Sequence, residues 1–400
     1  MIVAAAQEER FTRKKFDARF PSSSIHACLK QADLTLADID IVAFYEKPIL
    51  KFERLLETYL AFAPRGLRQF LASLPVWMRQ KLWLGEMIRR QLPGFNGKLY
   101  YVRHHDSHAA SAFFPSPFPR AAIIVFDAVG EWHTTTVGLG EGNRIGLRKE
   151  LNFPHSLGML YSAFTYYTGF RVNSGEYKLM GLAPYGEPRH VQVIYDHLID
   201  LKQDGSFRLN MAYFDFATGF TMTNDRFHRL FGRPPRVPES PLTELDMDLA
   251  ASIQAVTEEV IFRIARYAKE ETGAEYLCLA GGVALNCVAN GKLLKSGLYK
   301  DIWVQPACGD AGGALGAALY AWYQYGGRER RVDPAAFDAQ KGSLLGPGFS
   351  NSEIERWLKA NGVAYARCES ESALLDEVSS LLADGKVVGW FCGRLEFGPR

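Results

Sequence analysis

The stretch HHDSHAASAFF, residues 104–114, combines three histidines with a run of small residues. The stretch follows a short β-like run, KLYYV at 98–102, and its small residues predict a closely packed helix. His104 and His108 are four positions apart, so on a helix both imidazoles project from the same face and could share a divalent metal ion. A histidine pair at this spacing is weak evidence by itself, so further ligands must be sought elsewhere in the chain.

Asp127 is the first candidate for a third ligand. It ends the apolar run AAIIVF at 121–126, which predicts a buried strand with a carboxylate at its carboxyl end. Zinc metalloproteases carry a glutamate between paired histidines, as H-E-x-x-H. In this sequence Asp106 occupies the third position of the pair and no glutamate lies between the histidines, which argues against a protease.

Asp310 lies between a second strand-like run, IWVQP at 302–306, and a small-residue helix predicted to follow it. Two roles remain open for this aspartate. It could cap the helix, which would require no further function. It could also complete a set of two histidines and two aspartates around a metal ion.

Two glycine-containing stretches are candidate pocket walls. YLCLAGGVALN at 276–286 predicts a strand, a double glycine and a helix, where Gly281 and Gly282 would let the backbone approach an anionic ligand near Asn286. NSGEYKLMGLAPYG at 173–186 places Glu176 and Lys178 among glycines and aromatics. These two charges either face water from a packed turn or contact substrate, and the sequence does not decide between the two.

Length and composition predict an ordinary globular protein of two or three domains, with 400 residues, 48% hydrophobic and 22% charged. A formal charge of +2 gives no general reason to expect nucleic acid or membrane binding. The six cysteines lack C-x-x-C spacing and are typical of free thiols in a reducing compartment. No apolar run is long enough to span a membrane and no signal peptide precedes Gln7, so we expect a cytoplasmic protein.

Other segments give a coarse organisation of the chain. Residues 51–92 predict helices whose aromatic and basic content resembles a membrane-surface segment, although packing on their own domain is favoured. Residues 187–245 have little periodicity and indicate an insertion, followed by a helix at 247–269. A junction at 326–331 precedes a second unit, which is predicted to contain helices at 351–361 and 371–383 and a strand at 385–392.

The strand that ends at Asp127 is followed by a predicted hairpin, with strands at 131–139 and 144–151. A strand ending in aspartate and followed by two antiparallel strands is how actin-like ATPases build a phosphate-binding hairpin. This analogy concerns the fold and does not by itself fix a function.

Together these stretches resemble the O-carbamoyltransferases of nodulation-factor, aminoglycoside and cephem-antibiotic biosynthesis. The matching segments occur in the same order across the chain: 8–13, 104–114, 126–127, 175–186, 281–286, 309–318 and 393–400. The resemblance implies an α/β protein with an actin-like ATPase (ribonuclease H-like) duplicated fold at 1–335, followed by the start of an α+β YrdC-like domain at 342–400. Relatives usually begin with an extra strand and hairpin and continue past Arg400, so we expect a chain cut at both ends.

The resemblance also implies a chemistry. The second domain of the family makes carbamoyl-adenylate from carbamoyl phosphate and ATP with Mg²⁺, and the first passes the carbamoyl group to a hydroxyl of a small-molecule acceptor. By correspondence, His104, His108, Asp127 and Asp310 would hold an iron-type divalent metal. Gly281, Gly282 and Asn286 would cradle the adenylate, Glu176 and Lys178 would line the acceptor side, and Arg394 and Arg400 would bind carbamoyl phosphate or nucleotide. Neither nucleic acid nor a membrane is expected as a partner, and the oligomeric state stays open.

Two other functions remain possible at this stage. An actin-like sugar or acetate kinase would use Asp127 for Mg²⁺, but Mg²⁺ prefers oxygen ligands to the two histidines. A non-catalytic remnant that binds only a nucleotide or a metal is the other alternative.

Overall fold

A computed structural model describes residues 1–79, 81–333 and 336–399. The chain divides into two compact units. One contains Met1–Leu34 and Lys341–Phe397, and the other contains Thr35–Gln340. The predicted boundary near 335–342 therefore coincides with a passage between units, whereas the first 34 residues cluster with the C-terminal segment. Whether the two segments are the domains named above stays a prediction.

The helices differ widely in length, and the longest has 29 residues. They are α1 (Glu9–Thr12), α2 (Ser22–Ala32), α3 (Pro48–Phe62), α4 (Leu67–Arg79), α5 (Leu84–Gln91), α6 (His104–Phe113), α7 (Leu157–Tyr167), α8 (Glu176–Leu182), α9 (Val191–His197), α10 (Asp225–Leu230), α11 (Glu244–Thr272), α12 (Cys287–Lys295), α13 (Ala311–Tyr320), α14 (Asn351–Ala360) and α15 (Glu371–Ala383). Single 3-10 turns cover Leu36–Asp38, Lys81–Trp83, Ala183–Tyr185, Met211–Tyr213, Gly282–Leu285 and Lys341–Ser343, and a π-helical turn covers Ala321–Tyr325.

The strands all lie in the larger unit. They are β1 (Ile41–Phe44), β2 (Lys98–Tyr101), β3 (Arg120–Phe126), β4 (His133–Glu141), β5 (Arg144–Asn152), β6 (Ile199–Leu201), β7 (Phe207–Leu209), β8 (Tyr276–Ala280) and β9 (Asp301–Val304). The parallel pair β1–β2 and the antiparallel hairpin β6–β7 form two small sheets.

The main sheet has five strands in the order β5-β4-β3-β8-β9. The first three form an antiparallel meander, and β3, β8 and β9 run parallel. This mixed arrangement is that of a ribonuclease H-like half of an actin-like fold, as the sequence predicted, and the protein is accordingly α/β. The carboxyl ends of the three parallel strands meet at one edge of the sheet, where ligands bind in open α/β sheets.

The central strand β3 is buried on both faces of the main sheet, since its successive side chains point in opposite directions and each side meets a core. Ala122, Ile124 and Phe126 face a core formed with α7, α11 and α12, whereas Ile123 and Val125 face a second core formed with α6. All five side chains are at most 1% exposed. A strand covered on both sides reads as a continuous apolar run, which is why β3 could be predicted from the sequence.

Helices α6 and α13 approach each other closely, and the small residues of both make this possible. A Cβ atom added at Gly316 would lie 1.7 Å from the carbonyl oxygen of Ser107, and one added at Gly312 would lie 3.6 Å from Ser111 Oγ. The side chains at the start of one helix are thereby brought next to those at the start of the other.

The predicted helical segment at 51–92 forms α3, α4 and α5, and one face of these helices packs on its own domain. The insertion at 187–245 contains two short helices and a hairpin. In the smaller unit α14 and α15 match the predicted helices, but the strand predicted at 385–392 is absent among the described residues. Most of that run is exposed, and no strand among the described residues of this unit pairs with it.

Candidate metal centre

The two histidines of the opening stretch lie on one face of α6, as predicted. His104 is the first residue of the helix and His108 is one turn later, and both are at most 1% exposed. Their Nε2 atoms are 3.0 Å apart. Two imidazole nitrogens therefore face each other in a buried position.

The two predicted aspartates complete the cluster. Asp127 Oδ2 lies 3.1 Å from His104 Nε2 and 4.0 Å from His108 Nε2. Asp310 Oδ1 lies 3.5 Å from His104 Nε2 and 3.7 Å from His108 Nε2. One donor atom from each of the four residues lies within 4.8 Å of every other. The structure thus brings together the four residues that the sequence singled out, from three separate regions of the chain.

The arrangement fits a divalent cation. Metal–ligand distances of about 2.0–2.2 Å place neighbouring donors roughly 3.0–3.4 Å apart, close to the separations found here. The side chain of Asp310 makes no capping hydrogen bond to α13, so the alternative of a simple helix cap does not account for it. With 63% of its side chain exposed, Asp310 forms the open side of the cluster, and the other three residues form its buried floor.

The electrostatics of the cluster favour a cation. Burial by itself would lower the pKa of His104. The hydrogen bonds to Asp127 and Asp310 and the charges of these two aspartates together outweigh burial, and they raise the pKa to about 10. Burial alone would raise the pKa of each aspartate, yet the neighbouring histidines hold both below the usual range. Both carboxylates are therefore ionised, and the site attracts positive charge, whether as a proton on His104 or as a metal ion.

Glu131 holds the start of α6 in place, a role that no sequence motif indicates. Its two carboxylate oxygens accept the backbone N–H of His104, each at 3.0 Å, and Oε1 also accepts the backbone N–H of Lys47 at 2.8 Å. Glu131 is 3% exposed. A buried carboxylate thus satisfies the N-terminus of the metal-binding helix, where no side chain of α6 itself provides a cap.

Replacement of Glu131 by alanine is expected to lower the free energy of unfolding by about 1–3 kcal/mol, because buried N–H groups lose their acceptor. Metal affinity should fall about 10-fold or more, since His104 loses its fixed position. Chemical denaturation and competitive metal titration measure the two effects. Glu141→Ala, at a position 69% exposed, is the control, and equal behaviour of the two variants would contradict the role of Glu131.

Tyr45 is a second residue at the centre that sequence reasoning missed. Its ring lies 5.6 Å from the ring of His104, and a Cβ added at Gly313 would be 2.9 Å from its Cδ2 atom. Burial, then the charges of Asp310, Glu46 and Asp127, raise the pKa of its phenol well above the ordinary value. A neutral hydroxyl donor is therefore available beside Asp310. The signal available in the sequence was only its position directly after β1.

His105 points away from the metal cluster. It is fully buried, and its Nδ1 atom is 3.0 Å from Thr136 Oγ1 on β4. Burial holds the pKa of His105 well below its ordinary value, so this imidazole is neutral. It belongs to the packing between α6 and the sheet.

The predicted glycine wall lies beside the cluster. Gly281 has a φ of +86°, and a Cβ there would lie 2.1 Å from the carbonyl oxygen of Phe126, so only glycine fits. A Cβ at Gly282 would be 3.7 Å from Asp127 Oδ1. Asn286 makes protein contacts that the sequence did not predict. Its side chain caps α12 by accepting the Ala289 backbone N–H, and it exchanges two hydrogen bonds with Gln254, at 3.0 and 2.9 Å.

Glu176 and Lys178 lie at the start of α8 and do not join the four-residue cluster. Glu176 is half-buried and accepts hydrogen bonds from the Ser162 hydroxyl and the Asn173 backbone N–H, both at 2.9 Å. Lys178 is exposed. The structure thus gives Glu176 a local structural role and leaves the substrate role of both residues a prediction.

Arg394, predicted to bind carbamoyl phosphate or nucleotide, contacts backbone carbonyls in the smaller unit. It donates to the carbonyl oxygens of Gly346 at 2.7 Å and Val3 at 3.3 Å, and to that of Leu345. The other predicted arginine, Arg400, lies outside the described residues.

Comparison with known protein families decides the family of this chain. Residues 1–319 match the family model described as Carbamoyltransferase N-terminus. The chain belongs to this family. The match includes all four residues of the candidate metal centre, together with Glu131 and Tyr45.

Several members are similar over most of the chain. An uncharacterised protein of Synechocystis, sll1178, is 59% identical over 408 residues, covering 100% of this chain and 66% of its own length. The nodulation protein NolNO of Sinorhizobium fredii is 35% identical, covering 100% of this chain and 55% of its own length. The nodulation protein NolO of Bradyrhizobium diazoefficiens is 34% identical, covering 75% and 51%. The chain therefore spans between about half and two thirds of the length of these relatives.

Among solved structures, HypF of T. kodakarensis matches 62% of this chain and 39% of its own, with 14% identity and a TM-score of 0.31. This likeness is too low to bear on the site. No helix among the described residues has the length and apolar character needed to cross a membrane.

Proposed function

We propose that this chain is the transfer part of an O-carbamoyltransferase. In this proposal, it moves a carbamoyl group from carbamoyl-adenylate to a hydroxyl of a small-molecule or sugar-containing acceptor. The convergence of His104, His108, Asp127 and Asp310 carries the proposal, because it occurs in a chain that belongs to the carbamoyltransferase N-terminus family. Family membership suggests the group transferred, and the cluster suggests how the transfer is assisted.

We assign an iron-type divalent cation to the four-residue cluster. Imidazole nitrogens combined with carboxylate oxygens suit iron, manganese or zinc better than magnesium, which prefers oxygen ligands and water. When bound, such a cation supplies Lewis-acid polarisation of a carbonyl and offsets developing negative charge. The open side at Asp310 supports access for the reacting group, since the other three ligands are buried.

The residues of the chain itself would act by binding and orientation. Gly281 lies against the backbone of Phe126 and Gly282 faces Asp127, and both would let the adenylate approach the cluster, with Asn286 fixing the start of the next helix. Glu176 and Lys178 would line the acceptor side. In the transfer step the acceptor oxygen bonds to the carbamoyl carbon, the bond from that carbon to the AMP phosphate oxygen breaks so that AMP leaves with the electron pair, and the hydroxyl proton passes to solvent water.

The earlier step belongs to the segment that begins at 342. There we propose that ATP with Mg²⁺ and carbamoyl phosphate meet, with Arg394 and Arg400 as anion-binding groups in a YrdC-like domain of which 342–400 is the beginning. Arg394 would have to release backbone carbonyls to do so. We further propose that the reaction takes place in the cytoplasm, consistent with the free cysteines.

The test supplies synthetic carbamoyl-adenylate and a panel of hydroxyl acceptors to the iron-loaded 400-residue chain. We expect metal-dependent release of AMP and an O-carbamoyl product, lost after chelation and restored by the metal. Chromatography of nucleotides and mass spectrometry of acceptors measure both products.

The same experiment separates this function from phosphotransfer. With ATP as the donor, a kinase of this fold would produce ADP and a phosphorylated acceptor and would work with Mg²⁺ alone. Such products, or AMP release that persists after the metal is removed, would contradict the proposed function.

A further inference from the structure

The segment that contains α4 and α5 exposes both apolar and basic side chains. We define the basic apolar surface by its exposed side chains, which are Arg65, Leu67, Arg68, Leu71, Met78, Arg79, Lys81, Trp83, Met87, Arg89 and Arg90. Trp83 is 61% exposed and Leu67 is 60% exposed, which is unusual for large apolar side chains with neighbours of the same kind.

A neighbouring face of α4 already packs its aromatic side chains against the rest of the domain. Trp77 packs on Phe52 with ring centroids 5.6 Å apart, and Phe70 packs on Tyr59 at 5.1 Å. Gln69, on the same side, donates to the carbonyl oxygen of Gly219 at 2.7 Å. The outward apolar residues are therefore additional to the core of the domain, and packing within this unit does not explain them.

The outward residues of α4 form one stripe. Leu67, Leu71 and Met78 recur at offsets of four and seven, which places them within about 40° of one another around a helix of 3.6 residues per turn. They are 60%, 57% and 52% exposed. Arg68 and Arg79 follow on the adjacent side, so an apolar stripe is flanked by guanidinium groups, as in helices that lie in a membrane interface.

The charge of this segment differs from that of the chain. Residues 65–91 contain six basic residues and one acidic residue, Glu86, which is paired with Arg90, whereas the whole chain has a formal charge of only +2. All six basic residues are exposed. A concentrated positive charge beside an apolar stripe is complementary to a surface that offers phosphates at its boundary and hydrocarbon beneath.

We propose that the basic apolar surface docks on the surface of an anionic lipid bilayer, with α4 lying parallel to it. Leu67, Leu71, Met78 and Trp83 insert at the level of the headgroups, and the arginines contact lipid phosphates. From the sequence alone, packing on the domain was favoured over membrane contact. In the structure, one face of α4 packs on the domain and another face is exposed, so the two roles do not exclude each other. This proposal does not depend on the proposed transfer reaction.

The test is flotation of the 400-residue chain with vesicles of phosphatidylcholine containing about 30% phosphatidylserine, compared with phosphatidylcholine alone. We expect binding to the anionic vesicles at low salt and at least about tenfold weaker binding to the neutral ones. The pair Arg68→Gln and Arg79→Gln should weaken binding about tenfold or more. The pair Leu71→Ser and Met78→Ser should weaken it about tenfold at unchanged charge.

Val237→Ser is the matched control, since this apolar side chain is 70% exposed outside the surface. Circular dichroism and melting curves establish that each variant is folded before binding is compared. Absence of vesicle binding, equal binding to neutral vesicles, or an unchanged affinity in either variant pair would overturn the proposal. The chain could instead self-associate through this face or bind RNA and not vesicles. If both variant pairs were defective in that binding, the surface would be assigned to that partner and the proposal would be wrong.

Discussion

His108→Ala is expected to abolish tight metal binding by the chain and to weaken the affinity by at least about 100-fold. His108 contributes one of two imidazole donors, and loss of a direct ligand should exceed the 10–100-fold effect typical of residues that only orient ligands. Metal content by elemental analysis and affinity by competitive titration measure the change. Metal-dependent AMP release should be lost in parallel.

Loss of metal binding is informative only if the variant is folded. Asp310→Ala is therefore measured as a second ligand variant, one that we expect to stay folded. Asp310 is 63% exposed and makes no capping bond, so its removal should leave the melting temperature within a few degrees of the parent. His26→Gln, at an exposed histidine of the smaller unit, is the matched control and should retain full affinity. If both ligand variants bound metal as well as the parent, the cluster could not be the metal site.

Arg330→Met is expected to lower the free energy of unfolding by about 3 kcal/mol or more. Arg330 is 9% exposed, and its guanidinium donates to the carbonyl oxygens of Phe113, Phe114, Ser116 and Phe118 at 2.8–3.1 Å. Three of these distances are 2.9 Å or less, and the guanidinium also lies 4.2 Å from the centre of the Phe113 ring. Methionine would fill the space but leave buried carbonyls at the end of α6 without donors.

Urea denaturation of three variants measures the contribution of Arg330. Arg330→Lys keeps the charge but has fewer donors in a different geometry, so an intermediate loss is expected. Arg331→Met changes a neighbouring side chain that is 87% exposed and should stay within about 0.5 kcal/mol of the parent. Similar losses at positions 330 and 331 would show that the buried hydrogen bonds do not stabilise the end of α6.

Part of the candidate site could be predicted because local patterns determine it. His104 and His108 lie on one face of a helix because their spacing matches the helical repeat, and that helix begins at His104. Asp127 follows a strand whose apolar run reflects burial on both faces. For Asp310 the sequence left a helix cap and a metal ligand open, and the packing of α13 against α6 turns its carboxylate towards the histidines.

Other parts could not be predicted, because they depend on contacts between distant segments. Glu131 reaches the start of α6 only because the turn before β4 passes beside it, and nothing in its neighbours marks it as a cap. Arg330 lies in a charged stretch that reads as an exposed junction, yet it is buried. The prediction of a strand at 385–392 was wrong, because an apolar run forms a β-strand only when a neighbouring strand pairs with it.

The sequence by itself determined the positions of the main helices and strands and the four candidate donors of the metal centre. These follow from periodicity and residue type, which act over a few neighbouring positions. The tertiary structure decided that the four donors meet, which residues hold them there, and which face of α4 stays exposed. Those outcomes depend on the order of strands in the sheet and on the close approach of α6 and α13, and no short segment encodes either.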